Sequence, residues 1–106
     1  MPMILSVLEA HVDPASQGKL HAAYGEAANE ALPRGLVRST LSHATHDHTL
    51  WRIETLWESR EALEAMRSSS GTPRGIMIFR AAGAEPTVSL FVVTMILSPS
   101  GAPGHS

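Results

Sequence analysis

The chain of 106 residues has no cysteine. It therefore has neither a disulfide framework nor thiol chemistry, which suits a reducing compartment. Lysine is nearly absent: Lys19 stands alone, and every other basic residue is arginine. The formal charge is −2, so nothing here attracts a phosphate backbone, and no nucleic-acid partner is expected. No apolar run reaches the roughly 20 residues of a membrane span, so no membrane partner is expected either. The opening Met1-Pro2-Met3-Ile4 lacks a basic n-region and a cleavage signal, and the expected home is the cytoplasm. Also missing are a G-x-S-x-G elbow, a dinucleotide-type glycine pattern and a P-loop.

What is present is apolar substance. Hydrophobic residues make up 43% and charged residues 17%, a balance that argues against disorder and for one small domain. Residues 3–12 are β-rich and end at Asp13-Pro14, a good N-cap followed by proline at the first helical position. Leu20, Ala23, Tyr24, Ala27, Ala28 and Ala31 then recur at spacings of three and four. That stripe predicts a helix over about 14–32, stopped by Pro33-Arg34-Gly35. Residues 36–45 and 49–57 are strand candidates around a polar tip, His46-Asp47-His48. Ser59 can cap a helix through Met66, which Ser68-Ser69-Ser70-Gly71 breaks, and Thr72-Pro73 opens a short third helix to Ala82. Residues 87–97 form the last strand. The tail 98–106 is rich in Pro, Gly and Ser and is expected to be disordered, leaving residues 1–97 as the single domain. The order β-α-β-β-α(α)-β predicts an α+β, ferredoxin-like sandwich: one antiparallel four-stranded sheet with helices on one face.

A sheet covered on one side should alternate apolar and polar residues. The last strand does not: Leu90, Phe91, Val92, Val93, Met95, Ile96 and Leu97 place bulk on both faces, and Ile4, Leu5, Val7 and Leu8 do the same in the first. Burying about 500 Å² of such surface is worth about 12 kcal/mol before association costs. Monomers rarely leave a patch of that size in water, so a homodimer through the sheet faces is expected.

The segment Trp57-Glu58-Ser59-Arg60-Glu61-Ala62-Leu63, directly after a strand, resembles the W-x-S-x-x-A-L signature of antibiotic biosynthesis monooxygenase (ABM) domains. The helix start at Pro14 and the turn Pro33-Arg34-Gly35-Leu36 also look like this family, so the resemblance covers about residues 3–97. It implies the dimeric α+β barrel architecture. The superfamily includes cofactor-independent oxygenases of polyketide quinone precursors, haem-degrading enzymes and proteins without assigned activity. Members often carry Glu two residues before the Trp; here Thr55 stands there, with Glu54 one position back. The haem-degrading branch has an Asn in strand one and a Trp-His pair farther on. This chain reads Ser6-Val7-Leu8-Glu9 and has no His between residues 49 and 104, so haem breakdown is disfavoured and no cofactor is expected.

Candidate site residues follow from hairpin pairing. With His46 opposite Thr49, His43 faces Arg52, Leu41 faces Glu54, Ala44 faces Trp51 and Arg38 faces Trp57; a one-residue slip would scramble these sets. On that register His43, Arg52 and Glu54 form an acid–base cluster. The imidazole would move a proton near neutral pH, and the arginine would steady an enolate or phenolate that reacts with O₂. The plain alternative is a surface ion pair. Tyr24, Arg38, Trp51 and Trp57 are the candidates for binding a small aromatic ligand, with Arg38 stacked on Trp57; core packing is the competing reading. His43, His46, His48 and Asp47 raise the thought of zinc, but alternation sends His43 and His46 to opposite faces, and no metal site is expected. Two functions therefore stand: a cofactor-independent monooxygenase of an aromatic or polyketide-like substrate, or a non-catalytic ligand-binding or stress-related dimer of the same fold.

Overall fold

The computed structural model describes residues 2–69 and 72–99. The chain runs β1 (Ile4–His11), a 3₁₀ turn (Pro14–Ser16), α1 (Gln17–Asn29), β2 (Leu36–His43), β3 (Leu50–Trp57), α2 (Arg60–Ser69), α3 (Arg74–Ala81) and β4 (Thr87–Val92). The four strands make one antiparallel sheet in the order β2-β3-β1-β4, the ferredoxin-like arrangement. Residues 70 and 71 of the expected helix break, and the expected tail from residue 100, lie outside the described residues. Among the described residues no helix is long and apolar enough to cross a membrane.

Alternation decides what each strand buries. Along β1, Ile4, Ser6, Leu8 and Ala10 are buried, while Leu5, Val7 and Glu9 between them are half-covered. Along β3 the buried set is Trp51, Ile53, Thr55 and Trp57. The helices lie on this inner side. Leu20 of α1 and Phe79 of α3 are fully enclosed against Leu8, Val12, Trp51, Ile53 and Ile78.

The first helix is shorter than its stripe. Asp13 does cap it, its Oδ1 accepting from the Ala15 N–H at 3.3 Å, but the proline-led first turn winds as 3₁₀. The helix ends at Asn29, because a helical Pro33 would clash with the Asn29 carbonyl and disfavour a helical Leu32.

The W-x-S-x-x-A-L segment is a packing knot. Trp57 and Leu63 are buried with Ile4. The Ser59 hydroxyl accepts from the Ala62 N–H at 3.1 Å and so starts α2. Gly35 holds a left-handed φ of 86°, and a Cβ there would collide with the Cβ of Ala62. The Glu58 N–H donates to the Gly35 carbonyl at 2.9 Å, tying the β2 turn to the start of α2.

Two expectations change. The β2–β3 register is one residue away from the expected one: His43 opposes Trp51, Ser42 opposes Arg52, Thr40 opposes Glu54 and Arg38 opposes Leu56. The tip is tightened by Asp47, which accepts from both the N–H and the hydroxyl of Thr49, and the Leu50 N–H donates to the Asp47 carbonyl at 3.1 Å, so the tight turn closes at Leu50, one residue later than expected. A bulge then shifts the far end, where Leu36 opposes Trp57 and Val37 is the extra residue. The last strand is also shorter, ending at Val92 rather than residue 97. One further ladder bond, from the Val93 N–H to the Met3 carbonyl at 2.9 Å, exhausts what β1 offers.

Candidate functional site

Between the inner sheet face and the helices lies a cavity of about 270 Å³. Its walls are mainly apolar: Ala27, Leu32, Leu36, Ile53, Met66 and Ile78 contribute, with Trp57 at one side. A second cavity of about 100 Å³ adjoins it, sharing Ile53, Thr55, Met66 and Gly75 and continuing to Val88 and Leu90. At Gly75 a Cβ would meet the end of the Leu8 side chain at 2.9 Å, and that side chain would have to shift.

Polar groups cross the floor in one row. Ser39, Thr55 and Ser6 are neighbours on β2, β3 and β1, all pointing inward. The Thr55 hydroxyl donates to the Ser39 hydroxyl at 3.2 Å, and Ser6 donates to the Thr55 carbonyl at 3.4 Å. Tyr24 of α1 donates its phenolic O–H to the Ser39 oxygen at 3.0 Å, and the Trp57 indole N–H donates to the Ser6 oxygen at 3.2 Å. Ser6 and Thr55 are buried, so the row is held in a medium where hydrogen bonds are electrostatically strong. At the rim, Arg74 reaches Glu30 at 3.4 Å and the Ala31 carbonyl at 3.4 Å, clasping the end of α1. The ionisable groups of the lining are one phenol, Tyr24, and two guanidiniums, Arg38 and Arg74.

The sequence candidates fall in different places. Tyr24, Arg38 and Trp57 all line the main cavity. Arg38 is exposed and opposes Leu56 rather than Trp57, in step with the one-residue register change along the rest of β2. Trp51 is buried away from the cavity, its ring in edge contact with His21 and His43 at centroid distances of 5.3 and 4.9 Å. The one-residue register change separates the acid–base trio. His43 joins Trp51 on the inner face, whereas Arg52 and Glu54 stand on the outer one. There Arg52 binds Glu9 at 2.8 Å and Glu54 at 3.2 Å, a half-exposed network that leaves the guanidinium even more firmly protonated than usual. Glu9, the main partner, was not among the expected residues.

At the hairpin tip the Asp47 carboxyl is occupied by Thr49, whose two hydrogen bonds hold it below the usual carboxylate range. Among the described residues no three His, Cys, Asp or Glu side chains converge to hold a metal ion. The hydroxyl row is what sequence reasoning missed. A signal existed: Ser6, Ser39 and Thr55 keep phase with Ile4, Leu8, Leu41, Ile53 and Trp57, at positions where an ordinary core would be apolar.

A four-stranded antiparallel sheet with helices on one face, enclosing an apolar cavity with a polar floor, defines the class as a ferredoxin-like α+β domain with an internal ligand-sized space. The antibiotic biosynthesis monooxygenase profile matches residues 3–72, and the chain belongs to that family. No curated protein matches the chain. Among solved structures, SnoaB from Streptomyces nogalater, a cofactor-independent oxygenase solved as a point mutant, is 18% identical, with 93% of this chain and 100% of that one covered and a TM-score of 0.73. A candidate antibiotic biosynthesis monooxygenase from Deinococcus radiodurans is 11% identical over 92% of this chain and 99% of its own, with a TM-score of 0.73. Another from Caulobacter crescentus is 19% identical, covering 89% and 92%, with a TM-score of 0.70. At these identities the likeness concerns the fold.

Proposed function

We propose that this protein is a small homodimeric monooxygenase that uses no cofactor and acts in the cytoplasm on an aromatic or polyketide-like substrate. The observation that carries this reading is the apolar cavity of about 270 Å³ with hydroxyls on its floor. A flat ring system fills such walls, and a substrate carbonyl or phenol oxygen meets Tyr24 and Ser39. Arg38 and Arg74 at the rim favour the ionised form of the ligand. The substrate must bring its own acidic proton, because the lining holds a phenol and two guanidiniums but no carboxylate or imidazole. Once that proton has left to water, the electron-rich carbon adds to O₂. The resulting hydroperoxide loses water, so that CH₂ and O₂ become C=O and H₂O. The two copies meet through the outer sheet faces, where Leu5, Val7 and Leu56 are only half-covered in one copy.

The test is oxygen uptake by the purified protein with a panel of hydroxyaromatic compounds under air. Uptake above the protein-free rate is expected, with Tyr24→Phe and Ser39→Ala each lowering kcat/KM about tenfold, the equivalent of one good hydrogen bond. A second reading, a ligand-binding dimer without catalysis, draws on the same lining, which has no carboxylate or imidazole. Quenching of tryptophan emission by those compounds, with no oxygen consumed, would decide for it.

A further inference from the structure

The hydroxyls on the cavity floor can be counted proton by proton. Tyr24, Ser39 and Thr55 each bring one O–H, and all three line the main cavity. Two hydrogen bonds join them, Tyr24 to Ser39 at 3.0 Å and Thr55 to Ser39 at 3.2 Å. Among the described residues their side-chain oxygens make no other bond. Three protons and two bonds leave one proton over, whichever way the hydroxyls rotate. The rest of the row has none to spare. Ser6 spends its proton on the Thr55 carbonyl, and the Trp57 indole spends its own on Ser6.

The geometry leaves the surplus with Ser39. Its oxygen takes a bond from each side, which fills its two lone pairs, so its own proton can turn to neither neighbour. Ser39 is half-buried on β2 and lines the cavity, which is where that proton can point. Each incoming bond also polarises the Ser39 O–H and makes it a stronger donor than a serine standing alone. Thr55, behind it, is buried on the same face of β3 as Ile53 and Trp57, so its hydroxyl is held in place. Without these two partners the Ser39 hydroxyl would rotate and accept as readily as it donates.

We infer that Thr55 and Tyr24 hold Ser39 as the hydrogen-bond donor to one oxygen of the ligand, and that the site thereby selects ligands whose oxygen is an anion, an enolate or a phenolate, over the neutral phenol or its ether. A charged acceptor gains about twice as much from such a donor as a neutral one does. Ser39 touches the ligand; Thr55 is a positioning residue that acts through it. The inference rests on the ligand site proposed above and goes further by naming the form of ligand that is bound and the buried residue that enforces the choice.

Naphthol and its methyl ether test this, with binding to the full chain followed across pH by quenching of tryptophan emission, Trp57 being part of the lining. The titration is run in about 1 M salt, where charges act over only about 3 Å and most of what Arg38 and Arg74 contribute is screened. Bound naphthol should ionise at least about one pH unit below the free compound, a preference of about tenfold for the anion. Thr55→Val keeps the side-chain shape and deletes the hydroxyl. It should weaken the naphtholate about fivefold and the ether by less than about twofold, and Thr55→Ser should restore the loss. Ser39→Ala should bring the midpoint of bound naphthol back toward that of the free compound, which decides the matter even if circular dichroism shows Thr55→Val unfolded. Equal losses for anion and ether in Thr55→Val, or a midpoint that matches free naphthol in the wild type, would overturn the inference and leave the ligand site standing. If neither compound binds, both fall.

Discussion

The two faces of this sheet deal with polar side chains in opposite ways. Inside, beneath the helices, the polar groups are neutral hydroxyls, Ser6, Ser39 and Thr55, bonded to one another and to Tyr24 and Trp57. Outside they are ions, with Arg52 held between Glu9 and Glu54. Desolvation explains the division. A buried hydroxyl needs one partner, whereas a buried charge needs a full set of them. The inner face can therefore enclose a cavity and remain stable, and in the single subunit the outer face keeps its ions half-exposed.

The contrast is broken most forcefully from the inside. Phe79 is completely enclosed, and Phe79→Ala should cost about 3–5 kcal/mol in urea unfolding, as large-to-small core changes do. Thr40→Ala, on the outer face opposite Glu54, should move stability by less than about 0.5 kcal/mol. Comparable losses at the two positions would mean that both faces are buried to the same degree.

Gly35→Ala comes next. It combines a left-handed backbone with a collision against Ala62, so a loss of about 1–3 kcal/mol is expected. Gly35→Ala with Ala62→Gly should recover the part due to collision and retain the part due to φ. Full recovery would show that the backbone conformation carries no cost.

How much of this was legible beforehand follows from the same knot. Trp57, Ser59, Ala62, Leu63 and Gly35 are close in sequence or fixed by one turn, so local chemistry announces them, and with them the fold. The family signature therefore tells of packing; none of its polar groups other than the Trp57 indole reaches the hydroxyl row. The site was less legible because it depends on register. One residue of slip at the His46-Asp47-His48 tip moved Arg52 and Glu54 to the face opposite His43, and the same slip took Arg38 from Trp57 to Leu56. Tyr24 and Trp57 needed no register, since a helix stripe and a strand end place them regardless, and both line the cavity.

The row itself should respond more weakly than the core. Tyr24→Phe and Ser39→Ala should each cost about 1 kcal/mol of stability, and the double variant less than their sum, because both remove the same bond. Strict additivity would mean that the two hydroxyls act separately. On the outer face Arg52→Ala should cost under about 1 kcal/mol, with the loss shrinking as salt is raised. A loss larger than that of Ser39→Ala, in protein diluted to monomer, would reverse the contrast between the faces.

The smallest effect belongs to the hairpin tip, where the two faces meet. Two hydrogen bonds from Thr49 stabilise the charged form of Asp47 and lower its pKa from an ordinary 3.8. A depressed carboxylate pKa adds stability above the ordinary value, and that stability is lost as pH falls through the folded pKa. The tip should thus hold through neutral and mildly acid conditions and loosen only below the usual carboxylate range. Carboxyl chemical shifts followed against pH would locate the midpoint. Thr49→Ala should return it toward the ordinary value, since both the hydroxyl donor and the turn geometry that aims the Thr49 N–H are disturbed. A midpoint already at the ordinary value in the wild-type chain would mean that Thr49 does not hold the carboxylate in solution, and the turn that sets the β2–β3 register would need another anchor.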